Sequence, residues 1–356
     1  MKQVVAHPQA VIELDHRAEF LVAPPAGMDL VAASSKGHLS LIRGGEIAAA
    51  FTVGPHLWGI SAHPARPWLF IADGVDGSVK LTDLTGKRLA ELPGPVPSGR
   101  AAYRIPRGLT ACCYDPLRNI IWCAGSVSDD LVSIRAFDGE SWRMLAKTSV
   151  ADPHGESYLS FCPSSDFAVI ALFLGGGQDG LQVCLLNSNG DKLLASFESK
   201  WAQYLPPAFP PSGTWCLVTG EGGVTRLSYP EGKRLAFLSS PWRDEEGMGF
   251  FLACLDDRFA LVSTGEGIIY LLDALQLRIL AEVIIRGHEP QPAEEIYPTL
   301  GPSKDLCTRF GNIQQVGAAL VIAERWDDTG SPGEWKDRLV VVPVEEVIAG
   351  ADAVMS

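Results

Sequence analysis

The chain has no CxxC pair, no HxH or HExxH spacing, no Gly-x-Ser-x-Gly and no Gly-x-x-x-x-Gly-Lys loop. Zinc-hydrolase, nucleophile-elbow and phosphate-cradling chemistry therefore have no motif to rest on, and no cofactor is expected. Long apolar runs are missing as well: even the run ending at Leu174 is broken by Gly175-Gly176-Gly177-Gln178-Asp179-Gly180, far short of the roughly 20 residues of a membrane span. The segment Met1 to Pro8 lacks the apolar centre of a secretory signal. Together these predict a soluble, non-exported, cytoplasmic protein with no membrane partner. Positive charge is scarce, 29 Lys and Arg against 42 Asp and Glu, and the net charge of −13 repels phosphate backbones, so no nucleic-acid partner is expected. Helical periodicity is nearly absent, which disfavours helical solenoids; the one helix-prone segment is Val344-Glu345-Glu346-Val347-Ile348.

What is present is an ordinary globular balance, 47% hydrophobic and 20% charged, enough to bury a large core. Eight cysteines sit inside apolar runs such as Ala111-Cys112-Cys113-Tyr114 and Trp122-Cys123-Ala124, the pattern of buried free thiols in a reducing compartment.

The chain also repeats itself. A turn residue, often Pro, precedes a strongly apolar strand at Ala62-His63-Pro64 before Trp68-Leu69-Phe70-Ile71-Ala72, and at Tyr114-Asp115-Pro116 before Ile120-Ile121-Trp122-Cys123-Ala124. Further copies start near Pro25, Pro163, Pro211, Leu255 and Gln315, giving a loose period of about 47 residues. Independently, Gly-Lys-Arg-Leu-Ala occurs at Gly86 to Ala90 and again at Gly232 to Ala236, 146 residues or three periods apart. Within a repeat, Gly- and Asp-rich turns separate alternating strands such as Ser78-Val79-Lys80-Leu81-Thr82, the signature of short antiparallel hairpins.

Four such strands per repeat and seven repeats describe an all-β, seven-bladed β-propeller. The boundaries read as one domain over 1–356, with blades at about 17–53, 57–93, 107–148, 156–199, 202–240, 247–286 and 310–344, the last closed by a strand at residues 10–14. Trp68, Trp122 and Trp215 recur at one strand parity and are expected in the core. The run Gly59 to Lys87 resembles the WD40-like propellers, with Thr82-Asp83 standing where Trp-Asp stands in that family; Trp326-Asp327 is placed in a loop and carries no weight as that signature.

Function should lie where repeats depart from the period. The departures are Pro93 to Arg107, Arg286 to Phe310 and Glu324 to Asp337. The resemblance implies that all three emerge on one face, along with shorter loops, and that this face holds Arg100, Tyr103, Arg104, Arg107, Trp242, Arg243, His288, Tyr297, Arg325, Trp326 and Trp335. Arg, Tyr and Trp dominate interface energies, so a protein or peptide partner is expected there, with the chain a non-catalytic scaffold or adaptor subunit of a larger complex. The alternative is a propeller enzyme of lactonase, lyase or hydrolase type with a polar or metal site at the channel; the pairs His154 with Glu156 and His288 with Glu289 are its first candidates.

Overall fold

The computed structural model describes all residues except 23–26, 75–76, 96–109, 129–130, 152–157, 165–166, 168, 176–180, 188–192, 200–206, 221–222, 230, 240–250, 293–294, 296–305, 328–334 and 356. The chain divides into two compact units, Phe20–Pro206 with Ser228–Lys233, and Met1–Glu19 with Pro207–Leu227 and Arg234–Ser356.

The first unit holds four sheets of four antiparallel strands, each a meander in chain order: Phe20–Val22 to Glu46–Thr52, Leu57–Ala62 to Arg88–Leu92, Thr110–Asp115 to Met144–Ala151, and Tyr158–Pro163 to Leu193–Ser199. Successive sheets bury their facing side chains against one another. Leu39 and Leu41 meet Leu57, Leu69 and Ile71; Phe70, Val79 and Leu81 meet Cys112, Tyr114 and Ile121; Trp122 and Ile134 meet Ile170, Leu172 and Cys184. Central strands are covered on both faces, so Leu30–Ala33 and Phe259–Ser263 are buried throughout instead of alternating.

In the other unit, Phe251–Cys254, Phe259–Ser263, Ile269–Asp273 and Arg278–Ile285 form one meander, and Phe310–Val316, Ala319–Asp327 and Lys336–Pro343 form another. Strand β2 (Ala10–Glu13) pairs antiparallel with the last of these, Ala10 opposite Val341 and Glu13 opposite Arg338, which is the closure expected from residues 10–14. Strand β1 (Gln3–Ala6) was not expected. It adds in parallel to the outer strand of the neighbouring sheet, Gln3 opposite Glu282 and Ala6 opposite Ile285.

Helix α1 (Val344–Met355) covers β1, burying Val347 and Ala351 against Val4, Val283 and Val340. Both ends of β1 are tied to it. His7 donates its backbone N–H to Glu346 Oε2 at 3.0 Å and its Nδ1 lies 2.6 Å from Oε1, while the Lys2 ammonium donates to the Val354 carbonyl at the end of the helix, where cations suit the helix dipole. The contact with His7 holds the Glu346 carboxyl below the usual carboxylate range. Gly350 allows the close approach: a Cβ there would stand 2.4 Å from Val4 Cγ1.

Among the described residues the expected count of seven four-stranded blades is not met: six sheets have the four antiparallel strands, and the sheet in 202–240 has three, Trp215–Gly220, Gly223–Ser228 and Arg234–Ser239. The described part of its inner segment makes a single bridge, Ala208 to Leu217, with both backbone bonds formed. The cause is local: Pro207, Pro210 and Pro211 surround Ala208 and have no N–H to give a ladder.

Six sheets share one irregularity. The ladder onto the outer strand of the meander skips one residue of that strand, namely Ala48, Leu89, Leu145, Leu194, Leu235 and Leu280. Three residues before the bulge, in the hairpin, a residue with positive φ turns the chain: Gly45, Gly86 and Gly232, but also Trp142 at 57° and Leu277 at 50°. Those two bulky residues stay in this unfavourable region because their side chains plug the core, Leu277 being 5% exposed and Trp142 packing against the cluster of Phe70 and Tyr114.

Candidate functional site

The most polar buried cluster among the described residues lies where Ala319–Asp327 ends and Lys336–Pro343 begins, the sheet end that bears the third departure from the period. Pairing sets Glu324 opposite Arg338 and Arg325 opposite Asp337. Because side chains alternate along a strand, these pairs point to opposite faces of the sheet.

On one face, Glu324 is buried and accepts a bond from Arg338 Nε at 2.5 Å, and His288 Nδ1 lies 2.8 Å from the same oxygen. Arg338 also reaches His288 Nδ1 at 3.4 Å. His288 belongs to the Arg286 to Phe310 insertion, so this triad fastens one foot of that insertion to the sheet. The other foot is fastened by Thr308, whose hydroxyl donates to the Gly267 carbonyl at 3.0 Å, and a short ladder pairs Gln291 with Cys307.

On the other face, the Arg325 guanidinium lies 3.8 Å from the Trp335 ring centre and Arg17 lies 6.0 Å from it. Asp337 beneath them is buried and accepts the Ala18 N–H at 2.7 Å. Burial pushes its carboxyl above the usual range, with the nearby Arg17 and Arg325 opposing the shift. Trp326 is 36% exposed, and its indole N–H donates to the Leu14 carbonyl at 3.4 Å.

Of the residues expected on this face, the structure brings His288, Arg325, Trp326 and Trp335 to one sheet end. Arg100, Tyr103, Arg104, Arg107, Trp242, Arg243 and Tyr297 lie outside the described residues, as do His154 and Glu156. Three expectations need correction. His288 bonds Glu324 and not Glu289, whose ion-pair partner is Arg286 at 3.7 Å. Trp326 and Asp327 end a strand and are not in a loop, because their ladder with Asp337 and Lys336 extends past Glu324. Trp68 is only half-buried, since Arg66 stacks over it at 4.5 Å; Trp122 and Trp215 are core residues as expected.

Sequence reasoning missed Glu324, Arg338, Asp337 and Arg17. The available signal was a run of charges inside an apolar strand pattern, since a carboxylate there is buried and must be paired.

A second buried polar cluster joins two sheets of the other unit. His63 Nδ1 accepts the N–H groups of Ala65 and Arg66 at 3.1 and 2.9 Å, so its proton is on Nε2, which faces the Tyr114 hydroxyl at 3.0 Å. Tyr114 in turn donates to Asn119 Oδ1 at 2.9 Å and stacks on His63 with ring centres 4.5 Å apart. Every bond uses neutral imidazole, and burial, aided by Arg66, lowers the His63 pKa. The arrangement locks a hairpin and leaves no donor for a substrate.

Among the described residues there is no group of three His, Cys, Asp or Glu that could hold a metal, and the seven described cysteines are buried. No described helix is long and apolar enough to cross a membrane.

No family model matches the chain, and no curated protein matches it. Among solved structures it is similar to the β-propeller domain of Cps50 (Swd1) from Myceliophteria thermophila, with a TM-score of 0.59 and 12% identity over 94% of this chain and 98% of that one. Sheets of four meandering antiparallel strands, aligned with that domain over nearly its whole length, give this chain the fold of a β-propeller.

Proposed function

We propose that the chain is a non-catalytic interaction scaffold whose insertion-bearing face docks a protein or peptide, as an adaptor subunit of a larger complex. The reading takes 1–356 as one propeller domain of seven blades, with the segment 202–240 as an incompletely paired blade. It rests on the way the chain holds its departures from the repeat. The Arg286 to Phe310 insertion is fastened at both feet by His288 with Glu324 and by Thr308 with Gly267, and Arg325, Trp335 and Trp326 crowd the sheet end beside it.

Such preorganisation lowers the ordering cost that weakens most loop-mediated binding. The side chains are of the types that carry binding energy: an arginine stacked on a tryptophan keeps donors at its edge, and the apolar ring faces are already desolvated. The similarity to the Cps50 (Swd1) propeller domain supports the architecture on which this reading depends.

The test is affinity capture from the source cells with tagged wild-type chain and with a chain carrying Arg325→Ala and Trp335→Ala. Partner proteins recovered with wild type should be lost at least tenfold from the variant while its circular dichroism and melting curve stay within those of a folded protein. Equal recovery by both chains moves the docking face elsewhere.

A further inference from the structure

The outer strands are equivalent from sheet to sheet, because the same bulge stands at the same place in six of them. At one sheet the chain covers this edge itself: β1 pairs with Glu282 to Ile285, starting two residues after the Leu280 bulge, and Leu280 packs into the cluster that includes α1. The outer strand Met144–Ala151 is its counterpart in length, eight residues in both cases, and has the same spacing. Counting two residues on from its own bulge at Leu145 gives Lys147 to Val150 as the stretch that corresponds to the β1 seat.

That stretch ends its sheet, and no described strand pairs with its free side. Met144 and Leu145 are 52% and 47% exposed beside it, and Lys147 and Ser149 are exposed too. In the β1 seat, two small apolar side chains, Val4 and Ala6, are buried, and Gln3 and Val5 are exposed. The counterpart differs by its cation, Lys147, at the register position where the β1 seat has Glu282.

We propose that Met144–Ala151 is a strand-addition site that takes an extended peptide segment of a partner protein, with small apolar residues at alternate positions and a carboxylate opposite Lys147. Backbone bonds along the edge supply the affinity, and the cross-strand pair with Lys147 sets register and sign. The lysine also discourages pairing with a second copy, because the same edge would bring another Lys147 near it. This inference rests on the scaffold reading but uses a different surface from the Arg325 and Trp335 cluster.

The test uses two labelled decapeptides, one alternating Val and Glu and one alternating Val and Lys, and the full chain with and without Lys147→Glu. Fluorescence anisotropy should show the Glu peptide binding wild type at least tenfold more tightly than it binds the variant, and the Lys peptide preferring the variant. Amide exchange should slow across Met144–Ala151 when the Glu peptide is bound. The same affinity in a chain carrying Arg325→Ala and Trp335→Ala separates the edge from the docking face. No protection of this strand by either peptide, or equal binding with and without Lys147→Glu, overturns the proposal.

Discussion

Gly350→Ala should destabilise the protein, against what helix propensity alone dictates. Gly350 lies inside α1, where alanine favours the helix by about 1 kcal/mol over glycine. The new methyl, however, would meet Val4 Cγ1 at 2.4 Å and Cγ2 at 3.2 Å. Val4 is 3% exposed and β-branched, so its side chain has neither room nor a second good rotamer to retreat into. Overpacking of this kind costs about 1–3 kcal/mol, which offsets the helix gain and leaves a net loss of up to about 2 kcal/mol.

Val4→Ala alone should cost about 2 kcal/mol for two lost methyl groups and the space they leave. In that background only the Cβ of residue 4 remains near the new methyl, at 3.3 Å, and Gly350→Ala should now stabilise by up to about 1 kcal/mol. The coupling between the two changes is then about 1–3 kcal/mol. Urea unfolding followed by tryptophan fluorescence on the four proteins of this cycle reads it directly, and the nine tryptophans give ample signal. If Gly350→Ala has the same effect with and without Val4, the idea that this glycine exists to seat α1 on β1 is wrong.

Removing residues 1–14 should have a larger effect, because Val4, Ile12 and Leu14 are each 6% exposed or less and together contribute about 5–8 kcal/mol of burial, a large share of a usual folding free energy; calorimetry should show a sharply lower melting temperature, and an unchanged curve refutes the closure by β2. The His63 cluster makes stability depend on pH. Its folded-state pKa is lowered below the ordinary value near 6.5, so the unfolded chain binds the proton first, and the stability is full above about pH 6.5 and lost as pH falls toward the folded-state value. Urea midpoints between pH 7.5 and 5 should fall less steeply for His63→Asn than for wild type, and parallel slopes would count against the neutral tautomer. Leu277→Gly trades about 2 kcal/mol of burial against about 1 kcal/mol of relieved backbone strain, so a net loss near 1 kcal/mol is expected in urea; a gain would mean that its positive φ, not its packing, dominates.

The repeated string Gly-Lys-Arg-Leu-Ala made the periodicity legible, and the structure explains three of its five letters. Gly86 and Gly232 take positive φ in the hairpin, Arg88 and Arg234 begin the outer strand, and Leu89 and Leu235 are the bulged residues. What hid the other copies is that Trp142 and Leu277 replace the glycine, and that Asp138 and Asp273 cap hairpins one residue longer than the one after Asp83. Asp138 Oδ1 accepts the N–H groups of Glu140 and Ser141, and Asp273 Oδ1 those of Leu275 and Gln276, just as Asp83 Oδ1 takes those of Thr85 and Lys87. These are the counterparts of the Asp in Thr82-Asp83 that spacing alone had concealed.

The lone bridge that Ala208 makes among the described residues was within reach, since the prolines around it are plain in the sequence. β1 was not, because four residues pairing in parallel with a strand 279 positions away leave no local pattern. At the candidate site, the aromatic and arginine residues were visible by type, while the roles of Glu324 and Asp337 depended on which face of a strand each occupies, and a two-residue extension of that strand is enough to change the answer.

The clasp of β1 under α1 also sets an order of events during synthesis. Val4 and Ala6 leave the ribosome long before Val347 and Ala351, so the strand that needs the helix must wait for almost the entire chain to be made. Until then the Arg278–Ile285 edge is uncovered, and the nascent protein has to be kept from pairing there with its neighbours, which makes this edge the natural place for a chaperone to bind or for a stalled chain to aggregate.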